Sequence, residues 1–131
     1  MAKAKAVFIP IPLYGGEVVL CRTRKEWDAV AAQFGVSDDG EPMLGVMHEL
    51  LGTEGSRFYM VGVFDGAIAT LAHELLHVAV ATLGRVGVPI NPDTDEALTY
   101  LFDHLLATAL PLFMVAGLRT KKERGCHSDS N

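Results

Sequence analysis

Apolar residues near the N-terminus form two short runs separated by a glycine turn. Residues 7–13 (VFIPIPL) and 17–21 (EVVLC) flank Gly15 and Gly16, and two such runs around a Gly-Gly turn predict a β-hairpin. The two prolines of the first run favour an edge position, because proline cannot donate a ladder hydrogen bond. We therefore interpret this stretch as the first two strands of a sheet and not as a signal peptide.

The hairpin is followed by apolar residues at helical spacing. Thr23 and Glu26 form a capping box, in which the hydroxyl and the carboxylate each satisfy a backbone N–H group of the first turn. Gly35 is expected to end the helix in the left-handed conformation. The apolar positions that recur on one face are Trp27, Val30, Ala31 and Phe34.

Residues 43–64 predict a second hairpin after a polar loop at 37–42. Two apolar segments, MLGVMHELL and RFYMVGVF, flank the turn-rich sequence GTEGS. The HELL segment that begins at His48 therefore lies on a strand, where successive side chains point to opposite faces. It follows that His48 and Glu49 do not bind one metal together.

Residues 67–83 (AIATLAHELLHVAVATL) predict a helix, because the run contains no proline or glycine. Asp65 is the expected N-cap residue. The helix is apolar nearly all round, which predicts that it is buried. It contains the second HELL segment, which begins at His73 and is followed by His77.

Residues 84–92 (GRVGVPINP) end that helix, and a second helix is predicted from Pro92 or Asp93. Acidic residues in its first turn are favourable beside the helix dipole. Pro111 is a place where this helix could bend.

The segment 105–118 (LLATALPLFMVAGL) carries no charge. It is shorter than the about 20 residues that a spanning helix needs, and Asp103 and His104 precede it. A buried helix, or one that forms a homodimer, is therefore favoured over a membrane span. Residues 119–131 are predicted to be a disordered polar tail.

Length and composition indicate one domain, residues 1–118, and the predicted strands and helices place it in the α+β class. Half of the 131 residues are hydrophobic, which is enough to bury a core. The net charge of -5 argues against nucleic-acid binding, which needs a basic face. Cys21 and Cys126 form no CxxC pair, so a reducing cytoplasm is the expected location.

The segment from His73 to His77 carries the candidate chemistry. Residues four apart on a helix lie on the same face, so both imidazoles can reach one zinc ion at about 2.0–2.1 Å. In an HExxH arrangement the glutamate, here Glu74, is the general base that acts on metal-bound water. The alternative is a pair of buried histidines that are hydrogen-bonded to the backbone, with Glu74 exposed.

A catalytic zinc also needs a third protein ligand. The metzincin continuation requires glycine and histidine where this chain has Val80 and Leu83, so that class is excluded. Glu96, on the next helix, is the favoured third ligand. Asp93 and Asp95 are its rivals, although both also suit the N-terminal end of a helix.

The motif HELLH at 73–77 followed by EALTY at 96–100 resembles the gluzincin metallopeptidases. More narrowly, most of 7–106 is similar to small predicted zinc peptidases encoded by phages and prophages. The resemblance implies a zincin-like fold, in which a small antiparallel or mixed sheet packs against an active-site helix and a glutamate helix. It also implies Zn²⁺ as cofactor, a peptide or protein substrate, and the cytoplasm of a bacterial host if the chain is phage-encoded.

The chain departs from the larger gluzincins around the glutamate. Tyr100 stands where they commonly carry an aspartate, and there is no room for the domain that supplies their transition-state donor. Asp103 could orient a metal-bound histidine, and Tyr100 or His104 could donate to a developing oxyanion. Packing or surface roles are the alternative for all three.

In the resembling peptidases, an extended substrate lies along an edge strand that leads into the active helix. The resemblance therefore implies that residues 57–64 form an edge strand, with Arg57, Phe58 and Tyr59 shaping the cleft. An ordinary sheet strand without a substrate role is the alternative. Cys126 and His127 could cap the zinc, although a disordered end is favoured.

A catalytically silent zincin-fold module, which binds metal or protein, is the alternative function.

Overall fold

The sheet lies between one helix on one face and two helices on the other. The computed structural model describes residues 5–37 and 43–129, with side chains described as far as Val115. The elements, in chain order, are β1 (Val7–Pro10), β2 (Glu17–Cys21), α1 (Arg24–Phe34), β3 (Gly45–Leu51), a short 3-10 turn (Thr53–Gly55), β4 (Arg57–Val63), α2 (Ile68–Arg85) and α3 (Asp95–Asp129). The predicted α+β class is confirmed.

The strand order is β1-β2-β4-β3. β1 pairs with β2, and β3 with β4, in antiparallel fashion, which confirms both predicted hairpins. β2 and β4 pair in parallel, from Glu17 opposite Phe58 to Cys21 opposite Gly62. This pairing makes the sheet mixed and joins the two hairpins into one surface.

The expectation that residues 57–64 form an edge strand is wrong. β4 lies inside the sheet, and the edges are β1 and β3. The five residues from Tyr59 to Val63 are all buried, which is typical of a strand that is covered on both faces. The near-continuous apolar run RFYMVGVF already carried this signal.

The capping box begins α1 as predicted. The Thr23 hydroxyl accepts the backbone N–H of Glu26 at 3.1 Å. The buried Glu26 carboxylate accepts the backbone N–H of Arg22 at 3.3 Å. Gly35 has φ 70° and ends the helix in the left-handed conformation, which costs glycine little. The helix therefore begins and ends where its own sequence places it.

Two apolar clusters cover the faces of the sheet. The cluster on the α1 side comprises Val19, Cys21, Trp27, Val30, Ala31 and Met60. The larger cluster joins the other face of the sheet to α2 and α3, and includes Val18, Leu20, Val61, Leu71, Leu75, Leu101 and Leu105. Alternate residues of β2 contribute to opposite clusters, as strand geometry requires.

Asp65 is not the N-cap residue of α2; that position is held by Ala67. Asp65 acts from outside the helix, because its Oδ1 accepts the Ala67 N–H at 3.1 Å and its Oδ2 accepts the Thr70 hydroxyl at 2.6 Å. The bond from Thr70, and then that from Ala67, lowers the pKa of Asp65. Gly66, at φ 69°, provides the turn between the carboxylate and the helix.

α2 is not buried all round, in contrast to the prediction. Leu71, Leu75, Val78 and Ala79 are buried, whereas His73, Leu76, His77 and Val80 are exposed. The sheet and α3 cover only part of the helix, and both histidines lie on its open side.

α3 begins at Asp95, slightly later than predicted, after a turn in which Asn91 Oδ1 accepts the Asp93 N–H at 2.9 Å. Pro111 lies within the helix and does not end it. The stripe that enters the core is Leu101, Leu105, Ala109 and Phe113. α3 continues through residues 119–129 of the predicted polar tail, and the side chains of that stretch, those of Cys126 and His127 included, lie outside those described.

Within the described part of the chain, one stretch, Asp95–Val115, is long and apolar enough to cross a bilayer. Length and composition alone support this, and a core helix passes the same test. Of its most apolar 18-residue window, 22% is buried, and Leu112, Met114 and Val115 are exposed.

Candidate metal centre

The two histidines of the HExxH segment meet on the exposed side of α2. Their Nε2 atoms are 3.2 Å apart, and their ring planes are inclined at 75°. A tetrahedral zinc ion with Zn–N bonds of about 2.0–2.1 Å separates two donors by about 3.3–3.4 Å. The pair therefore fits a shared ion. A direct N–H···N hydrogen bond would fit only if the two rings held opposite tautomers.

Glu74 lies beside this pair on the side of α2 that faces β3. Its side chain is buried, with the residue 7% exposed, and its carboxylate lies within 4.8 Å of the nitrogen of each histidine. Burial raises the pKa of Glu74, while His73 and His77 lower it to a lesser extent. A carboxylate with a raised pKa is a better proton acceptor, which is what a general base requires.

Gly45, the first residue of β3, makes room for Glu74. A Cβ atom on Gly45 would lie 2.5 Å from Thr70 Cγ2 and 3.0 Å from Glu74 Oε2. Thr70 cannot easily move away, because its hydroxyl is bonded to Asp65. The close approach of the edge strand to α2 therefore depends on this glycine, a role that was missed in the apolar run MLGVMHELL.

We expect Gly45→Ala to destabilise the protein by about 1–3 kcal/mol, because the added methyl group overpacks the contact between β3 and α2. The free energy of unfolding in urea measures the effect. Gly84→Ala is the matched control: it lies in α2 with nothing within 4 Å of its Cβ position, so alanine there should be neutral or stabilising. Equal effects at the two positions would contradict the close contact.

The third ligand remains a prediction. Glu96 lies in the first turn of α3 and is exposed, as are Asp93 and Asp95. Among the described residues, the group whose ligand atoms lie within 4.8 Å of one another consists of His73, Glu74 and His77. The structure thus brings together three members of the predicted site and leaves the glutamate helix outside that group.

Tyr100, Asp103 and His104 line a different feature. They border a cleft of about 600 Å³ between α3 and the β1–β2 turn at 12–14. Tyr100 is 71% exposed. The cleft brings the three residues together on α3, and among the described residues the group around His73 includes neither Asp103 nor His104.

Tyr59 lies in the core. It is fully buried, and its hydroxyl accepts a hydrogen bond from Arg85 Nε at 3.2 Å. The same guanidinium donates to the carbonyls of Tyr14 and Gly15 at 3.1 and 3.0 Å. Tyr59 therefore helps to join the end of α2 to the first turn.

Arg57 forms an ion pair with Glu49 at 2.7 Å on the partly exposed surface, and Phe58 packs against the α1-side cluster. The interior position of β4 removes the reason for giving Arg57 and Tyr59 a substrate-binding role.

His48 lines a cleft beside Trp27 on the α1 side, whereas Glu49 lies on the other face. The first HELL segment is therefore on a strand, as predicted.

The metal-free protein should lose stability as the pH rises through the titration of Glu74. Because burial raises the pKa of Glu74, the folded chain keeps this proton to a higher pH than the unfolded chain does. The favourable contribution is complete below the ordinary pKa of 4.5 and is lost as the pH rises through the folded pKa. Urea unfolding in EDTA between about pH 4 and 7 measures the slope.

Glu74→Gln should reduce that slope, because glutamine does not titrate. The exposed Glu54→Gln is the matched control and should leave the slope as in the wild type. An unchanged slope in Glu74→Gln would contradict the effect of burial on this carboxyl group.

Comparison of the chain with protein-family models, curated proteins and solved structures finds no match in any of the three.

Proposed function

We propose that the protein is a minimal zinc-dependent peptidase of the gluzincin type, which acts on peptides or proteins in a reducing cytoplasm, that of a bacterial host if it is phage-encoded. The observation that carries the proposal is the 3.2 Å separation of the two Nε2 atoms beside the buried Glu74. Neutral imidazoles suit zinc.

When bound, zinc would polarise the scissile carbonyl and make its water ligand more acidic. His73 and His77 would hold the ion through their Nε2 atoms. Glu74 would accept the proton of the attacking water and pass it to the leaving amine. Its burial beside Gly45 keeps bulk water away from the carboxylate.

Glu96 is our proposed third protein ligand. Since its carboxylate lies outside the group formed by His73, Glu74 and His77, ligation requires the Glu96 side chain to move closer to the two histidines. Tyr100, His104 and Asp103 receive no step in this mechanism, because they line the cleft at the β1–β2 turn.

The substrate would bind along β3. This strand is an edge of the sheet, and its first residue, Gly45, adjoins Glu74. An extended peptide that pairs with β3 through main-chain hydrogen bonds would pass beside the carboxylate. β3 would thus be the edge strand that binds substrate, in place of β4.

Zinc affinity tests the ligand set. We expect Glu96→Gln to weaken zinc binding more than about tenfold, as loss of a charged ligand should. Asp93→Asn and Asp95→Asn are the matched controls and should change it little. Competition with a chromophoric chelator gives the affinities of untagged protein. If an aspartate variant weakens binding and Glu96→Gln does not, the third ligand is misassigned; if the wild type binds no zinc, the proposed function fails.

The second candidate is a zincin-fold module that binds metal or protein and hydrolyses nothing. It is favoured by one observation: among the described His, Cys, Asp and Glu residues, the group around His73 consists of His73, Glu74 and His77, with no further histidine as an oxyanion donor. Zinc binding without hydrolysis of a broad peptide library would support this module.

A further inference from the structure

The exposed face of α2 around the histidine pair carries no charged side chain. Between Ile68 and Gly84 the one charged residue is Glu74, and it is buried. Ala69, Leu76 and Val80 are exposed beside the histidines, and Leu76 and Val80 are each 42% exposed. A solvated helix face usually carries charged residues, so this face has the composition of an interface.

The coordination of an ion at this face is incomplete. A tetrahedral zinc that is bound by two imidazoles has two further positions. Among the described His, Cys, Asp and Glu residues, Glu74 is the one that groups with both histidines within 4.8 Å, and it is buried on the β3 side. Both imidazoles are exposed, so a second molecule can reach the open positions.

We propose that one zinc ion bridges two copies of this chain through His73 and His77 of each copy. A twofold axis through the ion would place α2 of one copy against α2 of the other in an isologous contact. The four donors would then be neutral imidazoles. The Glu74 carboxylates, one from each copy, would balance the charge of the ion.

The contact between the two copies around this axis would also bury the exposed apolar side chains of α2, Leu76 and Val80. Val80 is three residues after His77, and Leu76 is three after His73, so all four lie on neighbouring positions of one helical face. The small residues Ala69 and Gly84, at the two ends of this face, permit close approach of the second helix. The occupant is therefore a second copy, since two symmetric histidine pairs complete a tetrahedron with no further ligand.

The bridge does not depend on catalysis, although it uses the histidines of the proposed function. A bridged ion has no position for water or for Glu96, so the dimer would be inactive. That consequence alone rests on the proposed peptidase function.

Zinc titration of the full-length, untagged chain tests the bridge. The chain is first freed of metal with EDTA, and its mass is followed by light scattering during size-exclusion chromatography. We expect the 14.1 kDa chain to double its mass at about 0.5 equivalent of zinc, the stoichiometry of an ion shared by two chains. EDTA should reverse the change. A chain that stays monomeric at every zinc concentration, or that is dimeric in EDTA, overturns the proposal.

Two variants separate the bridge from an unspecific dimer. Val80→Lys places like charges across the axis and should weaken the zinc-dependent dimer more than about tenfold, with zinc still bound by the monomer. Val86→Lys is the matched control, because Val86 follows α2 and is similarly exposed, at 40%; it should dimerise as the wild type does. Equal dimerisation of the two variants overturns the proposal.

His73→Asn leaves one histidine per copy and should remove the zinc-dependent doubling, while circular dichroism shows the native helix content. Doubling that survives His73→Asn overturns the bridge. A monomer that binds about one zinc and hydrolyses peptides overturns the bridge and leaves the proposed function standing. Zinc-dependent doubling supports the bridge. Because the dimer would be inactive, hydrolysis is then assayed on zinc-loaded Val80→Lys, which should stay monomeric, and its absence there removes the peptidase.

Discussion

Glu74→Gln should lower peptide hydrolysis by at least about 10²–10⁴-fold, the range that a general base contributes. Zinc binding by the variant should be within about threefold of the wild type, because the imidazoles supply the bonds to the ion. The amide has nearly the same shape as the carboxylate and fits beside Gly45, so the fold should be retained. What it lacks is the ability to accept a proton from water.

The measurement is kcat/KM on a peptide library, together with zinc content. Glu54→Gln is the matched control, because Glu54 is exposed in the turn between β3 and β4. This variant should hydrolyse peptides as the wild type does. If Glu74→Gln keeps the activity, then Glu74 is not the base. If the wild type binds zinc as a monomer and hydrolyses nothing, the metal-binding module is the better assignment.

Local signals predicted the elements well. The capping box at Thr23 and the left-handed Gly35 define α1 through bonds between residues three or four apart, so the sequence contains the whole explanation. Both hairpins follow from turns of a few residues. These features depend on interactions between residues that are close in the sequence, so the sequence alone predicts them.

Features that depend on distant residues were predicted less well. The edge position predicted for β4 followed from the resemblance to peptidases, although its apolar run is typical of an interior strand. Nothing local identifies β2 as its parallel partner. The closeness of His73 and His77 follows from helix geometry, whereas the place of Glu96 depends on how α3 packs against α2. The role of Gly45 depends on Thr70 and Glu74, which belong to α2. The sequence alone does not show that α2 lies beside β3.

The burial of α2 shows the limit of periodicity. Its sequence is apolar nearly all round, which predicts burial without saying what covers each side. The sheet and α3 cover one side, and the histidine side stays open in the single chain. An apolar helix face that its own chain leaves uncovered requires another explanation, and the zinc-bridged second copy supplies one.

The two leucines within the HExxH segment should differ sharply in their effect on stability. Leu75 is fully buried in the cluster between the sheet, α2 and α3, whereas Leu76 is 42% exposed. We expect Leu75→Ala to lower the free energy of unfolding by about 2–5 kcal/mol, since it leaves a cavity in a packed core. Leu76→Ala, the same change one residue later, should cost less than about 1 kcal/mol.

Urea unfolding of the metal-free monomer in EDTA measures both effects, because EDTA removes any contribution of a bridged dimer. With zinc present, Leu76→Ala should weaken the dimer, so this leucine would matter only when two chains meet. Similar losses for the two variants in EDTA would mean that the exposed face of α2 is covered within one chain. In that case neither the open histidine pair nor the zinc bridge could be maintained.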